Sequence, residues 1–166
     1  MGLKEKFFCE ITSLNPEVTG SCHIVTIRFP DDRKTSFLVD CGLFQEHDYN
    51  YMNKEAFPFN AENISFVLIT HGHADHIGKI PKLYNEGYNG KIYATKATGK
   101  IMRPAFMNSL RIIKEEAKKK KNKPLYEEED VEMAISRIVS CDFGETEYVN
   151  PNVKVTYFKN GQCIWH

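Results

Sequence analysis

The chain has 166 residues and carries 22 basic and 22 acidic side chains, so its formal net charge at pH 7 is zero. Hydrophobic residues make up 42% of it and charged residues 27%. These values are ordinary for soluble globular proteins, and they exclude collagen-like and wholly disordered chains. The length corresponds to about one domain. With no net charge, the composition neither favours nor disfavours a polyanionic partner.

Neither a signal peptide nor a membrane span is predicted from the hydropathy pattern. The first residues lack an apolar core, and no stretch approaches the roughly 18 apolar residues of a membrane-spanning helix. We therefore expect a cytoplasmic protein with no membrane partner. The five cysteines are odd in number and include no CxxC pair. This pattern indicates free thiols rather than a disulfide framework or a thiolate zinc site.

The first forty residues predict an antiparallel β-meander. Runs of strand-forming residues at 6–14, 23–29 and 36–39 are separated by turn signals such as Asn15-Pro16 and Pro30-Asp31. The following stretch, 46–63, is polar and aromatic without a clear period. We expect it to form a long ordered loop, and loops of this length are often functional.

An α/β unit is predicted next. The apolar run 64–69 indicates a buried strand, and the residues from 77 to 85 have helical spacing. A further strand is expected at 91–94. Between the first strand and the helix lies a polar segment that contains three of the six histidines.

Two helices and one strand are predicted in the remainder. Helical spacing runs from Thr95 to about Ala117, before four consecutive lysines. A second helix is expected from about Glu127, with apolar positions on one face at Val131, Ala134, Ile135 and Ile138. The last predicted strand covers 153–158. Because no repeat or linker divides the sequence, we expect a single domain.

The segment His71-Gly72-His73-Ala74-Asp75-His76 is the strongest functional signal. Imidazole and carboxylate groups together suit zinc, iron or manganese. A turn after a strand can direct His71 and His73 into one pocket, and Asp75 and His76 into a neighbouring one. Gly72 would permit the tight turn. Two adjacent metal ions suit hydrolysis, notably of phosphodiesters. The isolated His23 and His47 are predicted to have only structural or surface roles.

The segment and its flanking residues resemble the metallo-β-lactamase fold, in particular its β-CASP branch of RNA- and DNA-processing nucleases. The resemblance extends along nearly the whole chain, through the segments Val18-Thr19-Gly20-Ser21-Cys22, Leu38-Val39-Asp40-Cys41-Gly42-Leu43-Phe44-Gln45, His76-Ile77-Gly78-Lys79-Ile80-Pro81, Pro124-Leu125-Tyr126 and Val153-Lys154-Val155-Thr156-Tyr157-Phe158.

This resemblance implies an α/β fold, the N-terminal half of an αββα sandwich with a mixed or antiparallel sheet and flanking helices. Residues 1–166 would form one incomplete domain without the β-CASP insertion. It also implies two zinc ions, with manganese or iron as alternatives. His71 and His73 would bind the first ion, and Asp75 and His76 the second. Asp75 would also orient the attacking water, and Asp40 would support the ligands by hydrogen bonding.

The family pattern has a histidine ligand where this sequence has Gln162. His166 is a possible substitute for it. The sequence also ends before further family ligands, so we expect self-association or a homologous chain to cover the missing half of the sandwich.

RNA is the expected partner, but the residues that would bind it are not identified. Lys118 to Lys121 could contact phosphates or form a solvated helix end, and the aromatic residues of the 46–63 loop could stack on bases or pack locally. Three functions remain open: an RNA-cleaving metallo-hydrolase, an inactive metal-binding module that needs a partner, and a hydrolase of small esters or thioesters.

Overall fold

The strands of the main sheet lie side by side in the order in which they occur in the chain. The structure is a computed structural model that describes residues 7–159. Its six-stranded sheet contains β1 (Phe8–Ser13), β2 (His23–Arg28), β3 (Lys34–Val39), β4 (Phe66–Leu68), β5 (Lys91–Thr95) and β6 (Ile138–Cys141). A separate hairpin consists of β7 (Thr146–Asn150) and β8 (Val153–Thr156).

Helices occupy the connections between the later strands. Within residues 7–159 they are α1 (Ala74–Ile77), α2 (Ile80–Asn85), α3 (Lys96–Lys120) and α4 (Glu128–Ser136). Two short 3₁₀ helices, His47–Asn53 and Ala61–Asn63, lie in the stretch predicted as a long ordered loop. No helix in the described part of the chain is long and apolar enough to cross a membrane.

The sheet changes from antiparallel to parallel pairing at β3. Strands β1, β2 and β3 form the predicted antiparallel meander, whereas β3 to β6 pair in parallel. Parallel neighbours end at the same edge of a sheet. Val39, the last residue of β3, pairs with Leu68, the last residue of β4. The residues that follow, Asp40 and the histidine-rich segment, therefore meet at this edge.

The main core lies between one face of the sheet and the helices. Leu38, Val67 and Ile92 from the strands are fully buried against Phe106 of α3 and Val131 of α4. Burying side chains of this size contributes about 1.5–3 kcal/mol each. This packing holds the parallel strands in place, and with them the sheet edge that carries Asp40 and the histidine-rich segment.

The opposite face of the sheet has its own smaller cluster. Phe37 and Phe66 stack there with ring centroids 4.5 Å apart. The hairpin of β7 and β8 packs side chains against this cluster, and the Tyr157 hydroxyl donates to the Tyr93 carbonyl at 2.7 Å. The chain therefore covers part of this face itself, and self-association stays a prediction.

The main error of the sequence prediction concerns the segment after α4. Ile138 is predicted on the helix face, but α4 ends at Ser136 and Ile138 begins β6. Its spacing from Ala134 and Ile135 fits a helix, yet Ile138 pairs with Ile92 of β5. Strand β7 is also missed. The observed mixed sheet with flanking helices confirms the predicted α/β class.

Candidate metal centre

The loop between β4 and α1 brings three imidazole rings together. The ring centroid of His71 lies 3.8 Å from that of His76 and 4.7 Å from that of His73. His73 has an extended backbone and immediately precedes α1. Asp75 and His76 lie in α1, and His76 Nε2 is 3.6 Å from Asp75 Oδ2. The four predicted ligands therefore occupy one cluster.

The carboxylate of Asp40 is buried beside this cluster, with its side chain 3% exposed. It accepts hydrogen bonds from the Thr70 backbone N at 2.9 Å and from Thr70 Oγ1 at 2.7 Å. His76 Nδ1 lies 2.7 Å from Oδ2, and Ser21 Oγ donates to the same oxygen at 3.4 Å. A buried charge is tolerated only when it is hydrogen-bonded in this way.

These hydrogen bonds assign protons to two of the histidines. An ionised carboxylate only accepts, so His76 Nδ1 donates to Asp40, and Nε2 lies on the other side of the ring, 3.6 Å from Asp75 Oδ2. The Thr70 hydroxyl gives its proton to Asp40 and therefore accepts from His71 Nδ1, which is 3.0 Å away. His71 Nε2 takes no part in these hydrogen bonds. Metal-binding histidines in proteins have the same arrangement, with the second ring nitrogen hydrogen-bonded.

The surroundings shift the pKa values of these two histidines in opposite directions. Burial, assisted by the nearby His76 and His73, lowers the pKa of His71. Burial also acts to lower the pKa of His76. The hydrogen bond that His76 donates to Asp40 and the charges of Asp40 and Asp75 outweigh this effect, so the pKa of His76 is raised. His71 is therefore neutral at pH 7, which is the form that binds metals.

Backbone hydrogen bonds from two earlier loops hold α1 in place. Ser21 N donates to the Asp75 carbonyl at 2.8 Å, and Cys41 N donates to the His76 carbonyl at 2.7 Å. Leu43 N donates to the Ala74 carbonyl at 3.0 Å. The position of the ligand segment is therefore set by the chain around it.

Gly42 is required by the close approach of this helix. A Cβ atom at position 42 would lie 1.6 Å from the Asp75 carbonyl oxygen and 2.0 Å from its carbon. These are backbone atoms and cannot rotate away. Only glycine lets the loop after β3 pass this close to α1.

The glycine inside the histidine-rich segment acts differently from the prediction. Gly72 is not among the residues with positive φ, so the turn here does not need a left-handed backbone. A Cβ at this position would instead lie 2.3 Å from Ile101 Cδ1. Gly72 therefore leaves room for α3 to pack against the loop.

Three polar residues of the network were not predicted as part of the site. Thr70 joins Asp40 to His71, and Ser21 joins Asp40 to His23, whose Nε2 is 3.2 Å from Ser21 Oγ. The sequence feature that could have identified Thr70 is its position directly between a buried strand and the first histidine of the segment. Nothing in the sequence indicates that Ser21 and His23 approach Asp40, because their proximity depends on the pairing of β2 with β3.

A comparison with protein-family models decides the family. Residues 17–140 match the model of the metallo-beta-lactamase superfamily. The chain belongs to the metallo-β-lactamase superfamily. Its six-stranded mixed sheet with flanking helices corresponds to half of the metallo-β-lactamase fold.

Several curated metallo-β-lactamase relatives are much longer than this chain. Ribonuclease TTHA0252 of Thermus thermophilus is 38% identical over 129 residues, which cover 78% of this chain and 27% of the relative. Transcription termination factor FttA of Methanocaldococcus jannaschii is 31% identical over 149 residues, covering 89% and 22% respectively. The chain thus spans about a quarter of the length of these relatives.

Among solved structures, MEM-A1, a subclass B3 metallo-beta-lactamase from a soil metagenome library, has a TM-score of 0.42 at 20% identity, covering 81% of this chain and 48% of MEM-A1.

Members of the metallo-β-lactamase superfamily typically bind divalent metals. The donors in the cluster fit such an ion in kind, since neutral imidazole and carboxylate are suitable ligands. They do not fit it in number. Among residues 7–159, no three His, Cys, Asp or Glu side chains form a group that could hold a metal ion. The donors among residues 7–159 would therefore make up at most part of a coordination shell.

The remaining predicted positions are separate from the cluster or outside the described residues. Gln162 and His166 lie outside residues 7–159. Phe57 and Phe59 stack on each other at 5.0 Å and pack against the main core, which favours the packing interpretation of these two rings. The lysine run begins within the last turn of α3 and ends at Lys121.

Proposed function

We propose that this chain is the metal-holding part of a β-CASP-type metallo-hydrolase that cleaves RNA. The observation that carries the proposal is the network in which Nδ1 of His76 is hydrogen-bonded to Asp40 and Nδ1 of His71 to Thr70, so that neither Nε2 atom takes part in this network. The names of the relatives support RNA as the substrate, because one is a ribonuclease and another a transcription termination factor. A cytoplasmic location is part of the proposal.

In the proposed site, His71 and His73 hold one divalent ion, and Asp75 and His76 hold a second. Zinc is the preferred ion, with manganese or iron as alternatives. When bound, such a pair would lower the pKa of a bound water to about 7 and stabilise the charge of a phosphodiester displacement. Asp75 orients the attacking water. Asp40 touches neither water nor substrate, and it positions His76.

The rest of each coordination shell must come from outside the described residues. The chain matches only 27% of the ribonuclease. We therefore propose that residues 1–166 form a single incomplete metallo-β-lactamase domain without the β-CASP insertion. The missing ligands would come from a longer form of the protein, a homologous chain or a second copy. The exposed strand β1, with Phe8 64% and Ile11 68% exposed, offers an apolar surface for such an association.

A second function is favoured by one specific observation. Since no three donors among residues 7–159 form a metal-holding group, the chain could bind metal weakly and have no turnover of its own. It would then act as an inactive module that needs a partner. Metal content and cleavage must be measured separately to distinguish these functions.

The first experiment measures zinc and manganese bound per chain by elemental analysis. We expect metal uptake that falls in His71→Ala and His73→Ala. His47→Ala is the matched control, because this imidazole is fully exposed and far along the chain from the cluster. If the ligand variants bind as much metal as the parent chain, the proposed site is wrong.

The second experiment replaces the matching part of the Thermus ribonuclease with this chain. We expect metal-dependent RNA cleavage by the chimera, and loss of this cleavage in His73→Ala. A folded chimera that binds metal but does not cut RNA would favour the inactive module.

A further inference from the structure

A cavity of about 260 Å³ begins next to the histidine cluster. Ala74, the residue between His73 and Asp75, is one of its lining residues. Its other lining residues come from the stretch 43–54, from the second half of α3 and from the segment 123–125. None of these lining residues has a role in the proposed metal site.

Hydrogen bonds of Asn53 hold in place the loop that lines the cavity. Asn53 is 4% exposed and accepts a hydrogen bond from Phe44 N at 2.9 Å. Its side-chain amide donates to the Phe44 carbonyl and to Asn50 Oδ1, each at 3.0 Å. Because Asn53 bridges the loop to the segment after β3, the cavity wall is preformed and does not depend on a ligand.

The lining also contains polar side chains that have few partners within the protein. The side chains of Gln45, Lys54 and Lys123 line the cavity and make no hydrogen bond or ion pair with any other part of residues 7–159. Asn108 has a single long contact, in which Arg111 donates to its Oδ1 at 3.4 Å. Glu116 is the one acidic residue in the lining, so the two lysines leave the cavity with a net positive charge.

Apolar side chains complete the lining. Ile112 is 43% exposed although it is a large aliphatic residue, and Leu125 and Pro124 also line the cavity. Ammonium groups, amides and an apolar wall together suit a ligand with a phosphate, hydrogen-bonding edges and a flat apolar surface. A nucleotide has all three.

We propose that this cavity is a subsite for one nucleotide of a single-stranded RNA, next to the nucleotide whose phosphodiester is cleaved. The proposal rests on the proposed function and deepens it. Lys54 and Lys123 contact the backbone phosphate, and Asn108 and Gln45 contact the base or ribose. The volume lies just below the range of about 300–1,000 Å³ that is typical of small-molecule sites, so the cavity suits one nucleotide unit and no more.

The test is fluorescence anisotropy of a short labelled single-stranded RNA with the 166-residue chain, in EDTA so that the metal site is not involved. We expect Lys54→Gln and Lys123→Gln each to weaken binding about tenfold at low salt. Each should also reduce the slope of log affinity against log salt by about 0.7, the value for one lost phosphate contact on a single strand. Asn108→Leu should weaken binding about fivefold and leave that slope unchanged.

The matched control is Lys119→Gln, which removes the same charge from the lysine run of α3 at a position outside the cavity. Lys119→Gln and Lys123→Gln are also compared at physiological salt, where Lys119→Gln should change the affinity by less than about twofold. An equal effect in Lys119→Gln and Lys123→Gln would overturn the proposal, because binding would then be a diffuse effect of the helix end. Absence of RNA binding at low salt would overturn it too. Thermal unfolding of each variant checks that the fold is retained.

Two further ligands identify what the cavity recognises. Uridine monophosphate should compete at least about tenfold more weakly than the RNA, since it lacks the neighbouring phosphates. Equal affinity would show a free-nucleotide site and overturn the strand proposal. Polyglutamate that competes as well as RNA would show unspecific anion binding, with the same consequence. These measurements contain no metal, so a negative result here contradicts the nucleotide subsite alone. The proposed metal site is tested separately by metal content and RNA cleavage.

Discussion

Asp40 and His76 are 36 positions apart in the chain, yet Asp40 Oδ2 lies 2.7 Å from His76 Nδ1. Three features produce this contact. Strands β3 and β4 end at the same edge of the sheet, and Thr70 after β4 donates a hydrogen bond to Asp40 after β3. Helix α1 packs closely against Gly42, which brings His76 next to Asp40. Asp40 is buried and does not contact substrate, but its hydrogen bond fixes the orientation of His76, a proposed metal ligand.

Asp40→Asn should lower zinc affinity about 10- to 100-fold, because the amide accepts less strongly from His76 and no longer fixes its orientation. Competition titration against a zinc-sensitive dye measures the effect. Asp31→Asn makes the same chemical change at an exposed carboxylate and should have none. Unchanged affinity in Asp40→Asn would contradict the positioning role.

Thr70→Val keeps the shape of the side chain but removes the hydroxyl that joins Asp40 to His71. We expect weaker zinc binding, about 1 kcal/mol for the lost hydrogen bonds. Thr70→Ser keeps the hydroxyl and should bind nearly as the parent chain does. Because both residues act in one network, the effects of Thr70→Val and Asp40→Asn should not add in the double variant. Strict additivity would argue for two independent contributions.

Gly42→Ala should destabilise the fold by about 3 kcal/mol or more, since the new methyl group would collide with the backbone of α1. Urea unfolding followed by circular dichroism measures the change. The control is Gly99→Ala in α3, where the nearest atom to an added Cβ is Ile138 Cγ2 at 3.4 Å. Alanine there should be neutral or about 1 kcal/mol more stable. Equal effects at the two positions would refute the close-approach argument.

Zinc should stabilise the chain against unfolding if the cluster binds it in the folded state. At a free concentration about a hundred times Kd, the expected gain in the free energy of unfolding is about 2.7 kcal/mol. His73→Ala should lose most of this gain and keep its stability in EDTA. Equal stabilisation of both proteins by zinc would place the binding elsewhere.

Much of the fold was predictable because the local signals agree with the tertiary structure. The runs at 23–29 and 64–69 contain β2 and β4, and the histidines follow a buried strand as the pattern indicates. Ile138 was wrongly placed because a helical spacing and a β-branched run coincide there. Only the pairing with Ile92 of β5 selects the strand.

The site was predictable in its ligand types but not in its connections. The segment from His71 to His76 identifies donors by chemistry and spacing alone. The bond from Ser21 to Asp40 and the contact between Gly42 and Asp75 depend on how three distant loops pack. The cavity at Ala74 was not predictable from the sequence either, because its lining residues come from separate parts of the chain.

The left-handed backbone of Asp40, with φ at 60°, restricts which residues can evolve at this position. Glycine, asparagine and aspartate accept such a conformation most readily. Of these, only aspartate also offers a full negative charge to His76 and Thr70. Glycine would suit the backbone but leave both partners unsatisfied, and glutamate would keep the charge but fit the backbone poorly. Backbone geometry thus limits position 40 to a few residue types, and the hydrogen bonds to His76 and Thr70 select aspartate among them.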